Sequence, residues 1–114
     1  MKKYILPMVL LVLLLMPAAL ATGNVKVNDF SASNTSGNIP LHVYFNGSVT
    51  GDVTNWQWQF KNVGTGAITH STANVITVHT FGKPGAYDVT LTVWGPNGKD
   101  TLTKPAYITA SNSN

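Results

Sequence analysis

From Tyr87 to Val93 the chain reads Tyr-Asp-Val-Thr-Leu-Thr-Val, apolar at every odd position and polar at every even one. A two-residue period sends successive side chains to opposite faces of an extended strand, so one face of this segment must be buried and the other wetted. A helix would scatter the same apolar set around its axis. Trp56-Gln57-Trp58-Gln59-Phe60 repeats the pattern, with three aromatics on one side and two glutamines on the other. No helical period survives after Ala21. Short apolar runs instead recur between Gly, Pro and Asn: Val25 to Phe30, Leu41-Val43-Phe45 after Pro40, an edge run over Ala67 to His70, Val75 to Phe81, and Thr101 to Ala110. Asn34 to Asn38 and Gly47 to Asp52 read as loops, Gly95-Pro96-Asn97-Gly98 as a hairpin turn, and Pro105 as a mark of an edge or kinked strand. About seven strands, each apolar on one face, with turns every eight to twelve residues, predict an all-β antiparallel sandwich with one core.

The chain opens with Met1-Lys2-Lys3-Tyr4, an apolar run from Ile5 to Met16, Pro17, and then Ala18-Ala19-Leu20-Ala21. A short basic start, an apolar centre and small residues at Ala19 and Ala21 are the parts of a secretory signal peptide over residues 1–21, cleaved before Thr22. The competing reading is a retained membrane anchor. The apolar run from Ile5 to Ala21 lies at the bottom of the spanning range of roughly 17–25 residues, and two prolines interrupt it. Either reading puts residues 22–110 outside the cell as one small domain, secreted or at the cell surface, followed by a disordered polar tail over 111–114. Asn34-Thr35-Ser36 and Asn46-Gly47-Ser48 are N-glycosylation acceptor tripeptides and suit that location.

Within the mature part, Ile39-Pro40-Leu41-His42-Val43-Tyr44-Phe45, Trp58-Gln59-Phe60 and the run Val78-His79-Thr80-Phe81, Pro84-Gly85, Tyr87 to Val93 stand in the order of a known pattern. These segments resemble the polycystic kidney disease (PKD) domain family, immunoglobulin-like sandwiches common in archaeal and bacterial surface proteins, over about Phe30 to Ile108. The family signature Trp-Asp-Phe-Gly-Asp-Gly is altered: Gln59 replaces its first aspartate, and Lys61-Asn62-Val63-Gly64-Thr65-Gly66 stands where Gly-Asp-Gly is usual, without the second acid. The resemblance implies an immunoglobulin-like β-sandwich that serves adhesion, envelope architecture or accessory binding. It implies no catalysis.

Parity and the resemblance together assign Trp58, Phe60, His79, Tyr87, Val89, Leu91 and Val93 to the structural core. Trp56 shares their strand face, nearer its end. Tyr87 is read as a tyrosine corner, its hydroxyl bonding nearby backbone. His79, at the family's histidine position, is expected to support the adjoining turn by hydrogen bonding. Trp94 has the opposite parity to Val93 and abuts the Gly95 turn, Tyr44 lies on the outer face of its strand, and Tyr107 is in the last run. These three are the candidate contact residues.

Other classes fall away on chemistry. The seven lysines are not joined by any arginine, two of them lie in the leader, and the remaining five nearly balance four aspartates. Phosphate backbones need clustered cations, so nucleic acid is excluded as a partner. With no cysteine there is no disulfide, thiolate site or cysteine nucleophile. His42, His70 and His79 lack ligand spacing, and Asp29, Asp52, Asp88 and Asp100 fall in separate segments, so neither metal nor cofactor is expected. No Gly-x-Ser-x-Gly elbow, paired acids or phosphate-cradling glycine loop is present, so an enzyme is not expected. The expectation is a non-catalytic module contacting other cell-envelope proteins or surface glycans, touching membrane only through its leader. Two alternatives stay open: a carbohydrate-binding accessory using Tyr44, Trp94 and Tyr107, and a structural fragment of a larger surface-layer protein. Lys104 and Pro105 read as blunting the last strand's edge, which favours a monomer.

Overall fold

The computed structural model describes residues 24–72 and 74–112; the signal-peptide reading of residues 1–21 and its cleavage point fall outside them. The strands are β1 (Lys26–Ala32), β2 (Ser36–Asn38), β3 (Leu41–Thr50), β4 (Asn55–Asn62), β5 (Ile68–Ser71), β6 (Ile76–Phe81), β7 (Gly85–Gly95) and β8 (Gly98–Ser111). They form two sheets, β1-β3-β6 and β2-β8-β7-β4-β5. Every pairing is antiparallel except β2 with β8. The fold is thus the all-β sandwich that the alternation demands.

Three details differ from the sequence reading. Residues 36–38, read as loop, form the eighth strand, too short to show any period and held by β8. Gly47 to Thr50, also read as loop, extends β3 because β1 pairs with it as far as Thr50. Ser111, assigned to the polar tail, ends β8 opposite Asn38, and its carbonyl accepts from Ile39 N–H at 2.8 Å.

The core lies where the two apolar faces meet. Val43 and Phe45 of β3 meet Trp58 and Phe60 of β4, Val89, Leu91 and Val93 of β7, and Ile108 of β8, all with no exposed surface. Phe45 sits at the centre of the aromatic packing, with ring centroids 5.4 Å from Trp58 and 5.2 Å from Phe60. The even-numbered residues of β7 from Asp88 to Trp94 are half-exposed, as the pleat requires. Each buried aromatic contributes about 1.5–3 kcal/mol of transfer free energy, which matters in a domain this small.

The sandwich has two distinct poles. At one, Val27 N–H donates to Asp100 Oδ2 at 2.8 Å, beside the β7–β8 turn, so the first described residues lie there. At the other, Gly85 pairs with Ala110 near the end of β8. Between them runs β7, about 33 Å of strand. The second pole is pinned by Tyr87, whose hydroxyl donates to the Lys83 carbonyl at 2.7 Å. Gly85 has φ +142°, and a Cβ there would lie 2.8 Å from Asn62 Nδ2. A side chain is excluded both by that φ and by the amide packed against it.

Candidate contact site

The three aromatics proposed as contacts are dispersed by the fold. Tyr44, 64% exposed, stands on the outer face of the three-stranded sheet. Trp94 is half-buried at the turn pole, paired with Asn55 and Lys99 in the five-stranded sheet. With Asn55, Trp56, Gln57 and Thr72 it lines an open groove of about 310 Å³. Tyr107 is half-buried, its ring edge-on to Phe30 at 5.7 Å, with Lys104 Nζ 4.9 Å from its centroid. It packs against one side of the sandwich while staying partly exposed. Trp56, expected on the core face, is half-buried against the core, and its Nε1 is buried with no hydrogen-bond partner among the described residues.

Lys104 also changes role. Instead of guarding an edge, it reaches across the sandwich, where Nζ donates to the Phe30 carbonyl at 2.6 Å and meets Asp29 Oδ1 at 2.8 Å. Pro105 sits in an irregular stretch of β8 where the register shifts opposite Tyr87 and Val89. Ala106 takes φ 49° there, and its N–H donates to Asp88 Oδ1 at 2.8 Å. Asp29, Asp88 and Asp100 therefore each tie separate segments together and do not converge.

His79 has no ring hydrogen bond among the described residues, so the expected turn-supporting bond is corrected. It stacks on Phe60, with centroids 4.1 Å apart and planes inclined by 12°. Burial penalises the imidazolium and holds His79 below its ordinary value of 6.5. Asp29 is held below 3.8 by the Lys104 hydrogen bond and then by the Phe30 backbone. Both groups have folded values depressed from the unfolded ones. Their stabilisation is present above the unfolded value and is lost as pH falls through the folded one. The melting temperature should therefore fall from about pH 6.5 downward through His79 and again below about 4 through Asp29. His79→Phe, which keeps a stacked ring and removes the titration, should flatten the first decline. An unchanged slope in thermal melts of that variant would refute the assignment.

The exposed apolar surface gathers elsewhere. Among the described residues the large exposed hydrophobics are Tyr44, Val63, Ile68, Ile76 and Val78. Ile76 and Val78 lie on β6, Ile68 on β5, Val63 just after β4, and Tyr44 directly opposite Val78. Both β5 and β6 are last strands of their sheets; Tyr44, Ile76 and Val78 stand on the outer face of the three-stranded sheet, and Ile68, opposite Lys61, on the outer face of the five-stranded one. An open groove of about 430 Å³ lies between β5 and β6, lined by Ile68 and Thr69 of β5, His79 and Phe81 of β6, Lys83, and the buried Asn62 and Tyr87. No charged residue lies between Lys61 and Lys83. Sequence reasoning singled out Tyr44 alone from this set. Ile76 and Val78 alternate with Thr77 and His79, and only the pairing with β3 decides which set faces in.

Asn62 is the other residue that sequence reasoning passed over. It is 5% exposed; Oδ1 accepts from Gly64 N–H at 3.0 Å and Thr65 N–H at 3.1 Å, and Nδ2 donates to the Pro84 carbonyl at 3.3 Å. A neutral amide does this at the altered signature because one partner needs a donor and two need an acceptor. Of the two acceptor asparagines, Asn34 lies in the loop before β2 and Asn46 on β3 opposite Ile76, both exposed.

Compared with known proteins, residues 29–108 match the family model described as PKD domain, a span from within β1 to the buried Ile108 of β8. No curated protein matches the chain.

Proposed function

The chain belongs to the PKD domain family, and on that premise we propose that it is a secreted or cell-surface module that works by protein–protein contact in the envelope. PKD domains are non-catalytic immunoglobulin-like modules, typically of extracellular or surface proteins, with protein–protein and adhesive roles. The observation that carries the reading is the outer face of the three-stranded sheet, where Tyr44, Ile76 and Val78 stand exposed side by side on β3 and β6. Apolar side chains clustered on one face mark an interaction site, whereas scattered ones need no explanation. The leader and the exposed acceptor asparagines Asn34 and Asn46 support an extracellular location; intact mass of the exported protein reports cleavage and glycan occupancy together.

A second reading, carbohydrate binding, draws on the groove beside Trp94, where indole, amide and hydroxyl groups of Trp56, Asn55, Gln57 and Thr72 meet. The two readings separate in one binding experiment with immobilised protein, envelope protein fractions and a glycan array. Contact through the outer face of the three-stranded sheet predicts retention of envelope protein that the double variant Ile76→Lys/Val78→Lys loses and Trp94→Ala keeps. Sugar binding lost in Trp94→Ala alone would replace the contact reading with the accessory one.

A further inference from the structure

Among the described residues β6 has one backbone edge without a partner strand. Gly47 N–H donates to the Val75 carbonyl at 2.7 Å, and Asn46 stands opposite Ile76. Antiparallel ladders alternate bonded and non-bonded pairs, so Thr77, His79 and Phe81 bond to β3. The N–H and C=O groups of Ile76, Val78 and Thr80 point the other way, and β6 is the last strand of its sheet. Those groups face the free edge.

The remaining edges are blunted. β1 carries Lys26 and Asp29 and an irregularity between Val27 and Asp29, while β2 and β5 have three and four residues. The free stretch of β8 holds Lys99 and Pro105. β6 has six residues, no charge, no proline and no bulge, and Ile76, Thr77, Val78 and Thr80 are β-branched. Natural sheets avoid leaving such an edge bare.

We infer that β6 pairs with β6 of a second copy, antiparallel, about a two-fold axis at Val78. This deepens the contact reading and rests on it. The free groups are symmetric about Val78: Val78 meets its own counterpart, and Ile76 meets Thr80 of the second copy. The two three-stranded sheets become one continuous sheet of six strands. Tyr44, Ile76 and Val78 share its outer face, so the apolar sets of both copies merge there. No charge opposes another, because none lies between Lys61 and Lys83. One short edge with three partly exposed apolar side chains falls below the roughly 1,200–2,000 Å² that stable complexes bury. The dimer is therefore weak: dilute protein is monomeric, and pairing occurs only at high local concentration of copies free to meet in opposite orientations.

The test uses the exported chain made without glycans, because Asn46 lies cross-strand from Ile76. In sedimentation velocity over a wide concentration series, the wild type shifts from monomer towards dimer. Ile76→Lys/Val78→Lys weakens the association about tenfold or more while its circular dichroism and melting stay unchanged. The chain has no cysteine, so Val78→Cys reports a single site. A bonded antiparallel pair has Cα atoms about 5.5 Å apart, within disulfide reach of about 4.4–6.8 Å. Mild oxidation should cross-link Val78→Cys and leave Thr101→Cys, on the opposite flank, monomeric. A wild type that stays monomeric at the highest concentration, or dimers that cross-link through Thr101→Cys and not Val78→Cys, overturns self-pairing. If envelope protein is still retained through Ile76 and Val78, the second copy is wrong and the contact reading stands. If neither is seen, both fail.

Discussion

Trp58→Ala should lower stability by about 3–5 kcal/mol, read as a fall of roughly 15–30 °C in melting temperature for a domain of this size. The side chain has no exposed surface and packs edge-on to Phe30 at 5.2 Å and against Phe45 at 5.4 Å. Its Nε1 donates to the Asn74 carbonyl at 2.7 Å, tying the segment before β6 to the core. Trp58→Phe separates the two contributions: it keeps most of the apolar volume and loses the hydrogen bond, and should cost about 1.5–3 kcal/mol. Chemical denaturation of the two variants measures the difference. Equal losses would mean that the indole N–H carries the whole effect and that the ring packing contributes nothing.

Asn62→Ala should follow at about 2–4 kcal/mol, although it removes little apolar area. Gly64 and Thr65 lose an acceptor and Pro84 loses a donor, and buried polar groups left without partners are expensive. Asn62→Asp keeps the acceptor oxygens and sets a carboxylate against the Pro84 carbonyl, a repulsion that disappears on protonation. Its folded pKa is therefore raised, and its deficit relative to the wild type should shrink as pH falls through that raised value and level off once pH is below about 4. Melting curves of the two proteins across that range check the sign. A deficit that grows with acidity would show that Nδ2 contributes nothing at Pro84.

The frame of the fold was readable wherever a strand is solvated on one face. Tyr87 to Val93 and Trp56 to Phe60 announce their buried sides, because a two-residue alternation has only one way to hide its apolar set. The contact surface was not readable, for the opposite reason. In Ile76-Thr77-Val78-His79 both parities carry groups that a core could take, and hydropathy favours the wrong one. The Leu41-Val43-Phe45 face of β3 decides the matter by drawing in Thr77, His79 and Phe81 through pairing. Lys104 was misread because its partners lie 74 residues away in the chain, beyond any local pattern. β2 escaped because three residues have no period and owe their strand conformation to β8.

The separation of the two poles restricts which molecules can meet. The first described residues leave at the pole of the β7–β8 turn, and β8 ends about 33 Å away at the opposite one. Were the leader kept as an anchor, chains rooted by it in one surface would all stand the same way up, with their β6 strands running in the same direction. A two-fold that turns one strand against the other cannot join such neighbours without upending one of them. Under that condition the same edge would join only molecules that project from two surfaces facing each other, and would leave neighbours on one surface apart.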